Sequence, residues 1–323
     1  MTVRILLAAL LAIGAAFAAA SSGVAQEKFP SRPIEVIVPA PPGGGTDITM
    51  RMLATAVEPI LGQRVVIVNK GGGGGVPAFV SLMESKPDGY VLGAWYNGQL
   101  IVQPHTTATP YAPTDFTPIS LYSASPVALC TDVKFKANDA KQLLDEIRAT
   151  PGKYTFGHDG PGGLINLAAQ RVYQKFDAKV ISVPFGGAGE TLKAVLGGHI
   201  DIYGGPISAI MPHVKSGTSK CLLVSSAERS PMLPNVMSVD DLGVKGLDTM
   251  LWRAIFGPKG MPADRVALLE SAFRRAATSS EYRAAMEARG EAAIGSTAEE
   301  LRTRVAVEDA QLGAIVKSLG LGK

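Results

Sequence analysis

Ile34-Glu35-Val36-Ile37-Val38-Pro39-Ala40-Pro41-Pro42-Gly43-Gly44-Gly45-Thr46-Asp47 joins an apolar run to a glycine triplet and leads directly into a segment of helical periodicity. Ile34 to Val38 reads as a buried strand and the glycines as a turn. Asp47 to Leu61 reads as a helix with Ile48, Met52, Leu53, Ala56, Val57 and Ile60 on one face. The same strand, loop and helix order follows downstream. Val65 to Val68 is a second strand, Gly71 to Gly75 a loop, and Val76 to Ser85 a short helix. Pro87-Asp88-Gly89 then turns into the strand Tyr90 to Trp95. Strands alternating with helices argue for a mostly parallel sheet covered on both faces.

A second series begins near Ser123. It contains the strand Val127 to Thr131, the helix Ala140 to Thr150, the strand Tyr154 to Gly157 and the helix Leu164 to Lys175. The strand Val180 to Val183, the helix Glu190 to Leu196 and the strands Ile200 to Tyr203 and Cys221 to Ser225 complete it. The chain then passes through Pro231 and Pro234 into an apolar run at Trp252 to Phe256, the helix Ala263 to Thr278 and a last helix from Ala298. Thr297 and Glu300 have capping-box spacing for that last helix. A helix-rich tail without a third sheet most economically rejoins the first domain. The expected division is therefore residues 26–123 plus 227–323 as a discontinuous first lobe and 124–226 as a second, with two crossing segments side by side. In open parallel sheets ligands sit beyond the carboxyl ends of the strands, so the glycine loops should collect at a central cleft.

The chain has 323 residues, 46% hydrophobic and 18% charged, which suits about two domains. Its 36 Gly and 22 Pro imply many turns, but no three-residue glycine period is present, which excludes collagen. The formal charge is only +3 and the basic residues are scattered, so a nucleic-acid footprint is lacking. Arg4, the uncharged apolar run Ile5 to Ala20 and the small residues Gly23-Val24-Ala25 form an export signal over residues 1–25, with the mature chain beginning at Gln26. Nothing later reaches membrane-spanning length. The two cysteines, Cys130 and Cys221, lie in strand-like runs, read either as small buried apolar residues or as a disulfide in an oxidising compartment. If the crossing segments pair antiparallel, the cysteine alpha-carbons should fall within roughly 7 Å.

Gly43 to Asp47 is the most informative loop for chemistry. Glycines let the backbone approach a ligand, and unpaired N–H groups at a helix start attract anions. Three successive glycines exceed what a helix cap by Thr46 or Asp47 requires. No G-x-x-x-x-G-K-[ST] or complete G-x-G-x-x-G motif is present, which argues against a nucleotide. Gly157 to Gly163 and Phe185 to Gly189 each precede a helix and are expected to face the first loop, so that opposed helix ends hold a carboxylate. His105, His158, His199 and His213 lack metal spacing, and no G-x-S-x-G elbow occurs, so neither a metal nor a cofactor is expected. His158 beside Asp159 suggests an acid–base pair only weakly, since neighbouring loop residues diverge. Arg253 reads first as a surface or ion-paired residue.

Phe29-Pro30-Ser31-Arg32-Pro33-Ile34, Val38 to Asp47, Lys86-Pro87-Asp88-Gly89-Tyr90, Val183 to Gly187, Gly197-Gly198-His199-Ile200-Asp201 and Ala227-Glu228-Arg229-Ser230, in that order, resemble the tripartite tricarboxylate transporter receptors, or Bug extracytoplasmic solute receptors. The resemblance implies an α/β periplasmic binding protein of type II-like form, with two lobes and a central ligand cleft. It implies a periplasmic receptor, not an enzyme, that captures a small carboxylate for membrane transporter subunits, and a monomer is expected. It also implies ligand contacts at Ala40, Pro41, Gly43, Gly44, Gly45, Thr46, Asp47, Tyr96, Asn97, His158, Gly162, Gly163, Asn166, Phe185, Gly187 and Ala188, many of them through backbone N–H groups and water. The chain departs from the family pattern where it has Ala40 for an aromatic residue, His158 and Gly163 for serine, Asn166 for histidine and Phe185 for tyrosine. A contacting His158 would make binding depend on pH. Two other readings are a sensor that docks a signalling protein and a hydrolase or isomerase using His158 and Asp159.

Overall fold

The computed structural model describes residues 29–160 and 162–323, and the expected export signal lies outside the described residues. The body treated below runs from Arg32 to Lys323. Its first half contains β1 (Ile34–Val38), α1 (Gly45–Leu61), β2 (Val65–Asn69), α2 (Val76–Met83), β3 (Val91–Tyr96) and the one-turn α3 (Gln103–Thr106). The middle contains β4 (Phe116–Asp132), α4 (Ala140–Ala149), β5 (Thr155–His158), α5 (Leu164–Lys175), β6 (Ile181–Pro184), α6 (Ala188–Leu196), β7 (Ile202–Pro206), α7 (Ile207–Lys215), β8 (Ser219–Val224) and β9 (Met237–Ser238). The last part contains β10 (Met250–Pro258), α8 (Ala263–Ala277), α9 (Ser280–Glu287), β11 (Ala292–Ala293) and α10 (Ala298–Ser318).

The strand order β2-β1-β3-β10-β4-β7-β5-β6 joins two half-sheets through β4. In the first half-sheet β1 pairs parallel with β2 and β3, and in the second β5 pairs parallel with β6 and β7. Between them the sheet is antiparallel, because β10 pairs with β3 and β4, while β4 pairs with β7 and β8. The expectation of a mostly parallel sheet therefore holds only for the outer strands. Its failure in the middle follows from chain routing: strands carried from one half into the other meet their neighbours head to tail.

The long strand β4 changes partner at Pro126/Val127, pairing with β10 up to Pro126 and with β7 from Val127. Pro118 and Pro126 mask the continuity of this strand in the sequence, since proline cannot donate to a ladder. The return passage is later than residue 227: β9 still pairs with β8, and the chain re-enters the first half-sheet at Met250. Ser225 joins the two passages, accepting from Val127 N and donating to Thr249 O. The tail helices pack back on the first half, as α8 lies against α1 and α10 against β4.

Cys130 and Cys221 are register partners on antiparallel β4 and β8 and form a disulfide with alpha-carbons 3.9 Å apart. Local signals set the element ends. Gly62, at φ 66°, closes α1 with its N–H on Glu58 O, and Thr297 and Glu300 form the reciprocal capping box of α10. One core region stacks Phe79 on Trp95 and Tyr111 with Phe116 edge-on, and a second gathers Ala128, Cys130, Tyr203, Ile207 and Ile210.

Candidate functional site

The loops that leave β1, β5, β6 and β7 at their carboxyl ends face one cavity of about 910 Å³. Ala40, Pro41, Gly43, Gly44, Gly45, Thr46, Tyr96, Gly162, Gly163, Phe185, Gly187 and Ala188 line it. The glycine run Gly72 to Gly75 lines it as well, and all four of these residues have positive φ, a conformation few side chains tolerate. Gln99 Nε2 ties the run to the first loop by donating to Pro39 O and Gly74 O at 3.1 and 3.2 Å.

Four residues expected at the ligand are not among those lining the cavity. Asp47 is buried behind the loop, accepting from Gly43 N, Arg51 and Asn69 at 2.9 to 3.0 Å. Burial works to raise its pKa, but these donors outweigh it and the net shift is downward. Asn97 braces the strand junction, donating to Met250 O and accepting from Trp252 N. His158 stacks on Phe156 and is 1% exposed, with Nδ1 held within its own loop at Gly160. Burial lowers its pKa, which opposes an imidazolium here. Asn166 is buried in the first turn of α5, its N–H on Asp159.

The second lobe departs from the expected pair of open helix ends. The carboxylate of Asp159 already occupies the start of α5, accepting from Ile165 N and Asn166 N at 3.3 and 3.2 Å. Tyr96, from the first half-sheet, donates its hydroxyl to the same carboxylate at 2.9 Å. Burial raises the Asp159 pKa to about 6, against the opposing effect of the Tyr96 and amide hydrogen bonds. Glu190 likewise reaches back from α6 to accept from Gly186 N at 2.9 Å. His158 and Asp159 therefore do not form an acid–base couple: their side chains bond to different partners.

The first-lobe helix end is open. Gly44 caps α1 without a side-chain hydrogen bond, and Gly45 and Thr46 begin the helix at the cavity wall. Arg253 stands beside them. On β10 it is the register partner of Tyr96 on β3, and a ladder irregularity falls between Arg253 and Ala254. Such bulges re-aim a side chain. The guanidinium is 1% exposed, and Nη1 donates to Glu291 Oε2 at 2.8 Å and to Ser123 Oγ at 3.3 Å. Nε is buried without a partner, and Nη2 is so close to Gly45 that a Cβ there would stand 2.8 Å away. Glycine at position 45 is what admits this side chain. The sequence places Arg253 only near the far end of the ligand, and Asp159 only within the loop Gly157 to Gly163. The signal for Arg253 was present, as a lone charge inside the apolar run Leu251-Trp252-Arg253-Ala254-Ile255.

Among the described residues no group of three or more His, Cys, Asp or Glu is arranged for a metal ion, and no helix is long and apolar enough to cross a membrane. Two α/β half-sheets joined by paired crossings around a loop-lined cleft define a periplasmic binding protein. The chain belongs to the tripartite tricarboxylate transporter receptor family: the model described as "Tripartite tricarboxylate transporter family receptor" matches residues 49–321. It is 30% identical over 322 residues to Protein BugT of Bordetella pertussis, with 97% of each chain covered. Its fold is similar to the periplasmic binding protein BugD, with a TM-score of 0.86, 27% identity and coverage of 91% of this chain and 100% of that one. It is also similar to MatC of Rhodopseudomonas palustris, solved with bound malate, with a TM-score of 0.82, 26% identity and coverage of 89% and 100%. The protein is thus a periplasmic solute-binding receptor and not an enzyme.

Proposed function

We propose that the cleft captures a small carboxylate and delivers it to the membrane subunits of a tripartite tricarboxylate-type transporter, after export and removal of residues 1–25. The observation that carries this reading is the wall of unpartnered donors formed by the start of α1, which no side chain caps, and the free edge of the Arg253 guanidinium. Helix N–H groups and the helix dipole favour an anion there. MatC, similar in fold, binds malate, which supports a carboxylate as the ligand class. The receptor acts as a monomer, with Ala40 to Thr46 on one side of the ligand and Gly162, Gly163 and Phe185 to Ala188 on the other.

Thermal-shift measurement of the secreted protein against a panel of carboxylic acids tests the reading. A ligand present at a hundred times its dissociation constant stabilises by about 2.7 kcal/mol. At least one acid should raise the melting temperature while its neutral amide does not. No shift with any acid would reject the carboxylate reading.

A further inference from the structure

The cleft walls carry opposite charges that do not neutralise each other. Asp159 lines the cavity, and among the described residues its side-chain partners are hydrogen-bond donors rather than an ion pair. The donors that reach its side chain from Tyr96, Ile165 and Asn166 are all neutral. The α5 amides and the Tyr96 hydroxyl satisfy this carboxylate by hydrogen bonds, but no cationic side chain among the described residues pairs with it. Lys193 also faces the cavity but does not pair with Asp159. The Asp159 carboxylate therefore faces the ligand space without a cationic side chain paired to it.

Arg253 supplies the complementary half. Glu291 and Ser123 bind its Nη1, which leaves the edge formed by Nε and Nη2 without hydrogen-bond partners. That edge is a planar fork matched to a carboxylate. Tyr96 fixes the relation between the two charges. It is the cross-strand partner of Arg253, and its hydroxyl is bonded to Asp159. A ligand lying along Tyr96 thus has the unpartnered edge of the ion-paired Arg253 guanidinium at one end of its path and a carboxylate without an ion pair at the other.

Resting on the carboxylate-receptor reading, we propose that the cleft is built for a zwitterionic amino acid, whose carboxylate docks on Arg253 and the α1 amides and whose ammonium docks on Asp159. A dicarboxylate places its second negative charge against Asp159 and is disfavoured. A monocarboxylate without an amine leaves Asp159 uncompensated. The chemistry selects the ammonium-bearing acid over its amine-free counterpart.

Calorimetry and thermal shift with matched pairs test this: L-glutamate against glutarate, L-aspartate against succinate, L-phenylalanine against hydrocinnamate, and γ-aminobutyrate against butyrate. In at least one pair the amine-bearing acid should bind at least about tenfold tighter, the value of one charge-assisted hydrogen bond. Asp159→Asn should reduce that ratio toward one, and Arg253→Met should weaken both members. If the amine-free acid binds equally or better in every pair that binds, the ammonium subsite is wrong while the carboxylate receptor stands. If no acid of either kind binds, both readings fall. The wild-type ratio decides the matter even where a variant does not fold.

Discussion

At Asp159 burial favours the neutral acid, while the hydroxyl of Tyr96 and two α5 amides favour the carboxylate, and burial prevails to place the pKa at about 6. A carboxyl whose folded pKa lies above its unfolded value of 3.8 binds its proton more tightly when folded. Its contribution to stability is present at low pH and is lost as pH rises through about 6. Relative to Asp159→Asn, the unliganded wild type should lose on the order of 2 kcal/mol between about pH 4 and about pH 7. Urea unfolding of both proteins across that range measures the difference, and parallel profiles would contradict the assigned environment. His158, by contrast, is sequestered against Phe156, so substituting it should not remove a pH slope in ligand affinity. Gly45 offers a separate residue-level test. Its φ is not in the left-handed region, so Gly45→Ala leaves the backbone permitted but sets a Cβ 2.8 Å from Arg253 Nη2. Circular dichroism should be unchanged, while acid affinity measured by calorimetry should fall about tenfold or more, the loss of roughly one charged contact.

Among the elements, β4 has the largest structural role because it belongs to both half-sheets. Its second half is fastened to β8 by the Cys130–Cys221 disulfide, which closes a loop of sequence separation 91. Chain-entropy arguments assign such a loop a stabilisation of about 4.6 kcal/mol, and typical measured values are roughly 2 to 4. Reduction with dithiothreitol should therefore lower the urea unfolding free energy by an amount in that range, and the midpoint with it, without changing the first-lobe core of Phe79, Trp95 and Tyr111. An unchanged midpoint after full reduction would show that β4–β8 pairing alone suffices. Most helices were legible because their signals are local: apolar spacing, the glycine after α1, and the Thr297/Glu300 box of α10. The helix α7 was not, since Pro212 interrupts its sequence signal. Nor was the first part of β4, where prolines and serines obscure an extended strand.

For the whole molecule, the decisive connection is a buried chain of groups from Ser208 on α7 through Glu291 to Arg253 on β10. Glu291 accepts from Ser208 Oγ at 2.6 Å and from Arg253 Nη1 at 2.8 Å, and the ion pair is 1% and 0% exposed. It ties the second half to the first and neutralises the cation that lines the cleft. Glu291→Gln leaves a buried guanidinium without its counter-charge and should destabilise by roughly 3 kcal/mol, as for other broken buried pairs. Equilibrium unfolding near neutral pH measures this, and a loss below about 1 kcal/mol would mean that water or another group compensates Arg253. By itself the sequence determined the alternation of strands and helices and a two-lobe α/β form, because these rest on local periodicity, turn chemistry and chain order, whereas it left the state of Cys130 and Cys221 open until β4–β8 register placed them together. Only the tertiary structure decided that Asp159 fills the start of α5, that His158 and Asn97 turn away, and that Arg253 presents an unused edge beside Gly45. The Asp159 and His158 outcomes turn on which local hydrogen bond each side chain satisfies once packed, whereas Asn97 and Arg253 are placed by contacts with residues far away in the chain, Asn97 with Trp252 and Arg253 with Gly45.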